Sequence, residues 1–284
     1  MAEVVIEVVD LVKSFPDPEG REIRVLDQVT FQVHKGETVV VMGGSGCGKS
    51  TLLNCMIGEY DVDAGHVKLF GQDITRMDEF QLNDVRKRFG ILFQSGALFN
   101  SMTVGENVAL PLREHSHVDP RVIDIIVTMK LEQVRMLPHR DKMPAQLSGG
   151  QKKRAGLARA TALDPEILFY DEPSAGLDPV TAAAIDELIV SLSRKLGVTS
   201  VVVTHDMSSA FRIADRMIML HAGRVFRIAA REAFDRLRRA RTEDLADPTD
   251  RLIQQFLLGS GRGPLTDSEG MSEYEKLLVT GQTT

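Results

Sequence analysis

Eight consecutive residues near the N-terminus have the types and spacing of a phosphate-binding loop. They follow the pattern G-x-x-x-x-G-K-[ST] and are, in order, Gly43, Gly44, Ser45, Gly46, Cys47, Gly48, Lys49 and Ser50. Glycines let successive backbone N–H groups turn toward phosphate oxygens, and a following helix N-terminus adds positive potential. The pattern predicts that Lys49 reaches the β- and γ-phosphates and that Ser50 binds Mg²⁺. A glycine-rich turn with a chance Lys-Ser pair is the alternative interpretation.

Two adjacent acids follow an apolar run later in the chain. Residues 167–170 predict a buried strand that ends at Asp171 and Glu172. In P-loop ATPases a carboxylate delivered in this way holds Mg²⁺, which is the role predicted for Asp171. Glu172 would then be a general base that orients and deprotonates the attacking water. An acidic pair that merely caps a strand is the plainer alternative.

The segment Leu147-Ser148-Gly149-Gly150-Gln151 predicts a second anion-binding helix start. Ser148 has the residue type of a helix N-cap, for a helix that begins near Gly150. The cap would leave free N–H groups and a hydroxyl directed at an anion. The alternative is an ordinary cap on a basic helix, because two lysines and an arginine follow.

Alternating strand and helix patterns must position these groups. Strands are predicted at residues 4–9, 29–33, 38–42, 66–70, 89–93, 167–170, 200–204, 217–220 and 225–228. Helices are predicted at 49–57, after Asp119-Pro120 and after Asp178-Pro179. The helix after Pro120 is expected to bury Val122, Ile125, Ile126 and Met129. Such alternation indicates an α/β protein with a largely parallel sheet.

The composition excludes several classes of protein. A formal net charge of −6 over 284 residues argues against a nucleic-acid-binding protein, which needs a basic face. A hydrophobic fraction of 43% is sufficient for a full-sized core. No apolar run reaches the ~18 residues that span a bilayer, and no basic start of a secretory signal is evident. Cys47 and Cys55, about 12 Å apart on one helix, cannot form a disulfide, which favours a reducing cytosol.

Taken together, these motifs resemble those of the nucleotide-binding subunits of ABC transporters. The resemblance spans residues 4–228 and comprises the phosphate loop, Gln94, the signature at 147–151, the Asp171-Glu172 pair, residues 174–178 and His205. It implies the P-loop NTPase fold of an ABC ATPase, with a RecA-like core, an N-terminal antiparallel β-subdomain and an inserted α-helical subdomain at about residues 95–163. It also implies ATP hydrolysis with ATP and Mg²⁺ as cofactors.

The resemblance further implies a role for each motif residue. These ATPases work as head-to-tail dimers, with each ATP between the phosphate loop of one subunit and the signature of the other. Residues 43–51, which end at Thr51, would bind ATP in one subunit. The second copy would contribute, in trans, Ser148, Gly149, Gly150, Gln151 and Asp178. Asp178 before Pro179 is also an adequate helix cap, so that simpler role stays open.

Three further residues receive roles from the resemblance. Gln94 would bind Mg²⁺ and the attacking water, together with Ser50 and Asp171. His205 would contact the γ-phosphate and hold Glu172 in place. Phe15 lies where the family places an aromatic ring that stacks on adenine, although it could equally be a packed phenylalanine at the end of a strand.

The region between Gln94 and the signature narrows the resemblance to one group of transporters. Residues 93–115 look like those of the ATPases of MCE-type phospholipid transporters, which maintain lipid asymmetry in Gram-negative envelopes. Many other cassettes have a proline soon after the glutamine, where this chain has 95–99 SGALF. The implied partners are a second copy, membrane permease subunits, an MCE-domain protein and a small accessory subunit. The implied location is the cytoplasmic face of the inner membrane, as a peripheral protein.

The sequence also predicts the domain boundaries and one reactive thiol. Residues 1–230 would form the nucleotide-binding domain and 231–264 a helical extension that starts with an exposed basic helix. Residues 265–284 would form a tail that either docks on a partner or frays. Cys47, at a helix N-terminus, is expected to have a lowered thiol pKa and high reactivity.

The sequence also bears on three rival functions. ABC-type ATPases of DNA repair insert long coiled coils between the two halves of the site, and no sustained heptads lie between Lys49 and Ser148. Ribosome-associated relatives usually carry two cassettes in one chain. An importer of amino acids or another small solute is the alternative within transport. A non-catalytic cassette is disfavoured because Lys49, Glu172 and His205 are all present.

Overall fold

The strands form two sheets in the computed structural model, which describes residues 3–260. In chain order they are β1 (Val4–Pro16), β2 (Glu22–His34), β3 (Thr38–Met42), β4 (Ala64–Leu69), β5 (Gln72–Asp73), β6 (Phe89–Leu92), β7 (Ile167–Asp171), β8 (Thr199–Val203), β9 (Arg216–His221) and β10 (Arg224–Ala230). Within that part of the chain, one sheet has the order β2-β1-β4-β5 and the other β10-β9-β3-β8-β7-β6.

Helices connect these strands and follow them. In chain order they are α1 (Lys49–Met56), α2 (Glu79–Arg86), α3 (Val104–His115), α4 (Pro120–Gln133), α5 (Gly149–Ala160), α6 (Pro179–Leu196), α7 (Met207–Ile213), α8 (Arg231–Arg239) and α9 (Pro248–Leu258). The chain divides into two compact units, the first ending at Ile228 and the second beginning at Ala229.

The two sheets of the first unit differ in strand direction. The pairs β1–β2, β1–β4 and β4–β5 are antiparallel, whereas β3, β6, β7, β8 and β9 pair in parallel. Every residue of β3 and β8 is buried, as expected for parallel strands covered on both faces. The predicted α/β class, with a largely parallel sheet and a smaller antiparallel one, is confirmed.

The N-terminal strands are longer than the sequence pattern predicted. The apolar stretches at 4–9 and 29–33 are parts of the 13-residue strands β1 and β2, which pair from Val4–His34 to Pro16–Glu22. Most of their remaining residues are half-exposed or exposed, although Leu11 and Leu26 are buried, so these parts lack a sustained alternating apolar pattern. Backbone pairing across the sheet extends these strands.

Helices α3, α4 and α5 pack against one another between β6 and β7. Asp119 caps α4 as predicted, since its carboxylate accepts a hydrogen bond from the N–H of Arg121. The predicted apolar face of α4 is wrong. Val122, Ile125 and Met129 are exposed, whereas the buried apolar residues of this helix are Ile123, Val127 and Leu131. Two apolar stripes run along α4, and packing on α3 and α5 buries only one of them.

The second unit contains α8 and α9. The amide of Gln254 on α9 is nearly fully buried and donates to the carbonyls of Leu237 and Ala240, at 2.9 and 2.7 Å. These bonds join α9 to the end of α8. The predicted basic helix at the start of this unit is present as α8, but it is not exposed all round because Phe234 is fully buried.

Between residues 3 and 260, no helix combines the length and apolar character that crossing a membrane requires. The expected tail at 265–284 lies outside the described residues.

Candidate functional site

The carboxyl ends of the parallel strands gather the predicted chemical groups at one edge of the sheet. Val203, at the end of β8, pairs with Val41 of β3 on one side and with Asp171 of β7 on the other. The residues that follow these strands therefore lie side by side, and they are the phosphate loop, Glu172 and the Thr204-His205 pair. Such an edge is where open α/β sheets bind their ligands.

The phosphate loop runs from β3 into the first turn of α1. Lys49 is only 8% exposed, and its ammonium donates to the carbonyls of Gly43 and Gly44, each at 2.9 Å. Gly48 has φ +101°, and a Cβ there would lie 2.8 Å from the side chain of Leu26. A Cβ at Gly43 would meet the Leu220 carbonyl at 2.2 Å. Packing thus requires glycine at both ends of the loop.

The remaining residues of the loop differ in exposure. Ser45, Gly46 and Ser50 are exposed, and Gly44 and Thr51 are half-buried. A Cβ at Gly44 or Gly46 would meet no atom within 4 Å. The exposed side of this loop therefore has room for a phosphate chain beside the first turn of α1.

The prediction for Cys47 is wrong. Its thiol is 8% exposed, and burial raises its pKa, although the nearby Lys49 ammonium opposes that effect. The Sγ atom lies 4.0 Å from Lys49 Nζ, inside the loop. The favourable potential of the helix N-terminus is outweighed by the loss of water around the thiol. Cys55 is also free, and burial raises its pKa to about 12.

Glu172 is held by the segment that follows β8. One carboxylate oxygen lies 2.8 Å from Nδ1 of His205, and the other accepts from the Thr204 hydroxyl at 3.1 Å and the His205 N–H at 3.4 Å. The Glu172 side chain is 13% exposed, whereas that of His205 is 65% exposed. The carboxylate is thus oriented from within while the histidine ring faces outward. This is the geometry of a general base with an orienting partner.

Asp171 ends β7 beside Glu172. Its Oδ1 is buried and has no hydrogen-bond partner among the described residues. Burial raises the pKa of this carboxyl, the Glu172 charge raises it further, and Lys153 and Lys49 lower it. A buried carboxylate oxygen without a donor is unusual in a folded protein. A hard cation with oxygen ligands would satisfy it, so the residues present fit the predicted Mg²⁺.

Gln94 lies at the same edge of the sheet, two residues beyond β6. Leu92 pairs with Tyr170, which places Gln94 beside the end of β7, and its side chain is exposed. The loop after it is held by Arg159 of α5, which donates to the carbonyls of Gly96 and Ala97 at 3.3 and 2.7 Å.

The signature forms the start of α5, as predicted. The Ser148 hydroxyl accepts from the Gln151 N–H at 3.3 Å, and the Gln151 side chain accepts from the Ser148 N–H at 2.9 Å, which makes a capping box. Ser148 and Gly149 are exposed. Gly150 is buried, and a Cβ there would approach Thr181 of α6 at 2.6 Å. The helix start is thus solvent-facing and packed against the beginning of α6.

Asp178 caps α6, since its carboxylate accepts from the N–H groups of Val180 and Thr181, both at 3.1 Å. The side chain is exposed, and hydrogen bonds from the Thr181 side chain and from these two N–H groups lower the pKa of Asp178. The structure therefore gives this residue the simpler of its two predicted roles, and a role across a dimer stays a prediction.

Phe15, near the end of β1, contacts Tyr60 from the loop after α1. Their rings meet edge to face at 5.4 Å, and the Lys13 ammonium lies 5.2 Å from the Phe15 ring centroid. The ring is half-buried. Adenine stacking by Phe15 stays a prediction, with Tyr60 as a neighbour that the sequence pattern did not reveal.

Two further contacts with Glu172 were not predicted from the sequence. Thr204 binds the Glu172 carboxylate, and Lys153 donates to the Glu172 carbonyl at 3.0 Å. The contact of Thr204 could have been suspected from the sequence, because its hydroxyl directly precedes the predicted site residue His205. No local pattern distinguishes Lys153 from its neighbours Lys152 and Arg154.

Comparisons with known proteins agree with this geometry. Residues 26–175 match the profile of the family described as "ABC transporter". The chain is 39% identical over 267 residues to the "Intermembrane phospholipid transport system ATP-binding protein MlaF" of Haemophilus influenzae, covering 94% of this chain and 97% of that protein. It is 38% identical over 283 residues to the "Probable ribonucleotide transport ATP-binding protein mkl" of Mycobacterium leprae, covering 98% and 77%.

A solved structure supports the same family. The "Dimeric structure of a post-hydrolysis state of the ATP-binding cassette MJ0796 bound to ADP and Pi" matches with a TM-score of 0.73 and 31% identity, over 79% of this chain and 98% of that one. The predicted P-loop ABC ATPase fold is thereby confirmed. The chain belongs to the ABC transporter family and is one of its ATP-hydrolysing cassettes, with ATP and Mg²⁺ as cofactors.

Proposed function

We propose that this chain is the ATP-hydrolysing subunit of a bacterial ABC transporter, and that it powers phospholipid transport through a separate permease and an MCE-domain protein. The observation that supports phospholipid as the cargo is the 39% identity to a phospholipid-transport ATPase over nearly the full length of both proteins. The residues after Gln94, which resemble those of MCE-type systems, agree with it.

Hydrolysis in this proposal depends on Glu172. Its carboxylate is oriented by Thr204 and His205 and takes a proton from the water that attacks the γ-phosphate. The partly exposed His205 ring then contacts the γ-phosphate. A base fixed before the substrate arrives loses little freedom in the reaction, which lowers the barrier.

The rest of the inner site binds the nucleotide. The N–H groups of residues 43–51 and the Lys49 ammonium hold the phosphates, and Phe15 stacks on adenine. Ser50, Gln94 and Asp171 would hold Mg²⁺, consistent with the buried Asp171 oxygen that lacks a donor. When bound, this ion neutralises negative charge on the β- and γ-phosphates.

A second copy of the chain completes each site. Ser148, Gly149, Gly150 and Gln151 bind the γ-phosphate of the partner's ATP, and Asp178 lies at the same interface. The exposed N-terminus of α5 supports this assignment, because its free N–H groups and helix dipole favour an anion. Since the γ-phosphate then touches both subunits, ATP favours the closed dimer and hydrolysis reopens it. The dimeric state of the related MJ0796 cassette agrees with this arrangement.

The proposed location follows from the proposed partners. The chain binds the cytoplasmic side of permease subunits as a peripheral inner-membrane protein, and a small accessory subunit is a further candidate partner. The loop after Gln94 would sense the permease, and its exposed Phe99 is suited to contact an apolar helix.

Affinity purification of tagged Glu172→Gln chain from detergent-solubilised membranes of the native host tests the proposal. Removing the base should preserve the ATP-closed dimer and its membrane partners. We expect a permease, an MCE-domain protein and bound phospholipid, identified by mass spectrometry and lipid extraction. Tagged Glu166→Gln, which keeps the base, is the matched control.

The other possible outcomes distinguish the ATPase activity from the identity of the transported substrate. Recovery of an unrelated permease without phospholipid would agree with a role as a transport ATPase but would refute phospholipid as the cargo. That result would favour a small-solute importer, and the mycobacterial relative named for ribonucleotide transport makes nucleotides a cargo to test. A chain found without any membrane partner would contradict the transport role itself.

A further inference from the structure

The backbone of Glu172 has an unusual conformation that other groups must maintain. Its φ is +45°, in the left-handed region that residues with a Cβ seldom adopt. Its N–H donates to the Val203 carbonyl at 2.9 Å, and its carbonyl accepts from the Ala175 N–H at 3.2 Å. The same carbonyl accepts from the ammonium of Lys153 at 3.0 Å. Lys153 is the one side chain among these three partners.

Lys153 is placed where lysine is seldom found. It is 4% exposed, and burial lowers its pKa while the nearby Asp171 and Glu172 charges raise it. Burial of an ammonium is unfavourable unless hydrogen bonds and opposite charges compensate. The preceding residue, Lys152, is half-exposed on the same helix. Lys153 is therefore a buried lysine at the site, and Lys152 is a more exposed lysine that can serve as its control.

The helix that carries Lys153 contacts two segments with proposed roles in hydrolysis, the one at Glu172 and the loop after Gln94. It begins at the signature, with Gly150 packed against Thr181 at the start of α6. Lys153 lies one turn further on and binds Glu172. Arg159, near the other end, binds the loop that follows Gln94 through the carbonyls of Gly96 and Ala97. A helix is a stiff element, so displacement of its N-terminus moves all three contacts together.

We infer that Lys153 is a positioning residue that holds the main chain of Glu172 against α5, so that the signature and the base of one subunit move together. This inference rests on the role proposed above for Glu172. The signature of a subunit would contact the ATP bound by its partner. Lys153 therefore ties the base of each site to the nucleotide in the other.

Steady-state kinetics of Lys153→Met test the inference, with Lys153→Arg as the conservative variant and Lys152→Met as the control. Methionine keeps the length of the side chain but removes the donor and the charge. We expect Lys153→Met to lower kcat about tenfold or more, as misplaced catalytic groups do, with KM and ATP affinity unchanged. Lys153→Arg should recover most of the rate, and Lys152→Met should match the wild type. ATP affinity is measured by equilibrium binding and folding by thermal unfolding.

Two results would overturn the inference. One is an unchanged kcat in Lys153→Met; the other is a loss of ATP affinity that accounts for the lost rate. If the methionine variant does not fold, Lys153→Gln is measured instead, and a normal kcat in that variant overturns the inference equally. Absence of ATPase activity in the wild-type chain together with its membrane partners would refute the proposed function instead. Glu172→Gln provides the rate expected when the base itself is missing.

Discussion

The two halves of the proposed ATP site differ in how the fold holds them. The inner half, with Lys49, Asp171 and Glu172, lies at the edge of the parallel sheet. Lys49 is buried and the two acids are half-buried, and Glu172 is hydrogen-bonded to the segment that follows β8. The outer half, with Ser148 and Gly149, is the exposed start of a helix whose side-chain bonds are made to its own first turn.

This difference indicates which half is suited to chemistry within one subunit and which to binding the nucleotide of a partner. A buried or half-buried polar group held by several hydrogen bonds, as the Glu172 carboxylate is, is pre-organised in the way a proton-transfer site requires. An exposed helix N-terminus binds an anion weakly in water and more strongly when another surface excludes that water. The inner half is therefore suited to chemistry within the subunit, and the outer half to recognition of the partner's nucleotide.

The largest expected effect comes from removing the base in the inner half. Glu172→Gln should lower ATP turnover by about 10²–10⁴-fold, the usual contribution of a general base, while ATP binding persists. Glu166→Gln, at the other end of β7, is the control because its exposed carboxylate pairs only with Arg88 among the contacts described. Phosphate release at saturating ATP measures the effect. Wild-type turnover in Glu172→Gln would place the base elsewhere.

A complementation experiment tests whether the outer half acts in trans. Lys49→Ala and Ser148→Arg should each lack ATPase activity when purified alone. A mixture should regain activity, because a mixed dimer has one site with an intact phosphate loop and an intact signature.

The control for that experiment mixes Lys49→Ala with Glu172→Gln. Both lesions lie in the inner half, so each site of a mixed dimer keeps one defect and no activity should return. Recovery in this control, or none in the first mixture, would show that the two halves are not divided between subunits as proposed.

Asp171→Asn should reduce activity and increase stability. Burial raises the pKa of the Asp171 carboxyl, so the folded chain binds a proton more readily than the unfolded chain. The charged form therefore destabilises the fold as pH rises from the ordinary pKa of aspartate through the raised pKa of Asp171, and the loss is complete above it. At neutral pH we expect the unfolding midpoint of Asp171→Asn to lie above that of the wild type, because the substitution removes a charge whose burial is unfavourable.

Calorimetry without Mg²⁺ or nucleotide measures this change. The gain should shrink at acidic pH, where the wild-type carboxyl is protonated in both states. Asp84→Asn, at an exposed ion pair on α2, should leave the midpoint nearly unchanged. A midpoint that falls in Asp171→Asn would indicate that this carboxylate is well compensated within the fold.

The smallest effect concerns Cys47. In a Cys55→Ser background, maleimide labelling at neutral pH should be slower than labelling of a small free thiol. Because burial raises the Cys47 pKa, the rate should keep rising with pH beyond the range where ordinary thiols ionise. Added ATP should slow it further, and Cys47→Ser in the same background should not react. Faster labelling than the free thiol would restore the original prediction of a reactive cysteine.

Much of the inner site was predictable because its signals are local. The strand β3 was predicted with its observed bounds, and the helix α1 ends within one residue of the prediction. The capping box of α5 is likewise contained in four consecutive residues. By contrast, α3 was not predicted as a helix, since Pro111 interrupts its pattern, although the capping box of Thr103 and Glu106 was a usable signal.

The face that a helix buries was not predictable from its own residues. Helix α4 has apolar residues on two faces, and only contact with α3 and α5 selects Ile123, Val127 and Leu131 for burial. The Cys47 prediction was wrong for the same reason. The helix N-terminus is visible in the sequence, whereas the burial that raises the thiol pKa depends on the packing around the loop.

The sequence by itself determined which residues are candidates for the chemistry and that the larger sheet is mostly parallel. Hydrogen bonds within a helix turn, caps and glycine turns join residues close in sequence and leave a local pattern. Only the tertiary structure decided that Thr204 meets the Glu172 carboxylate across 32 positions and that Lys153 reaches the Glu172 carbonyl across 19. Strand order and helix packing bring such residues together, and neither is recorded in the spacing of any single segment.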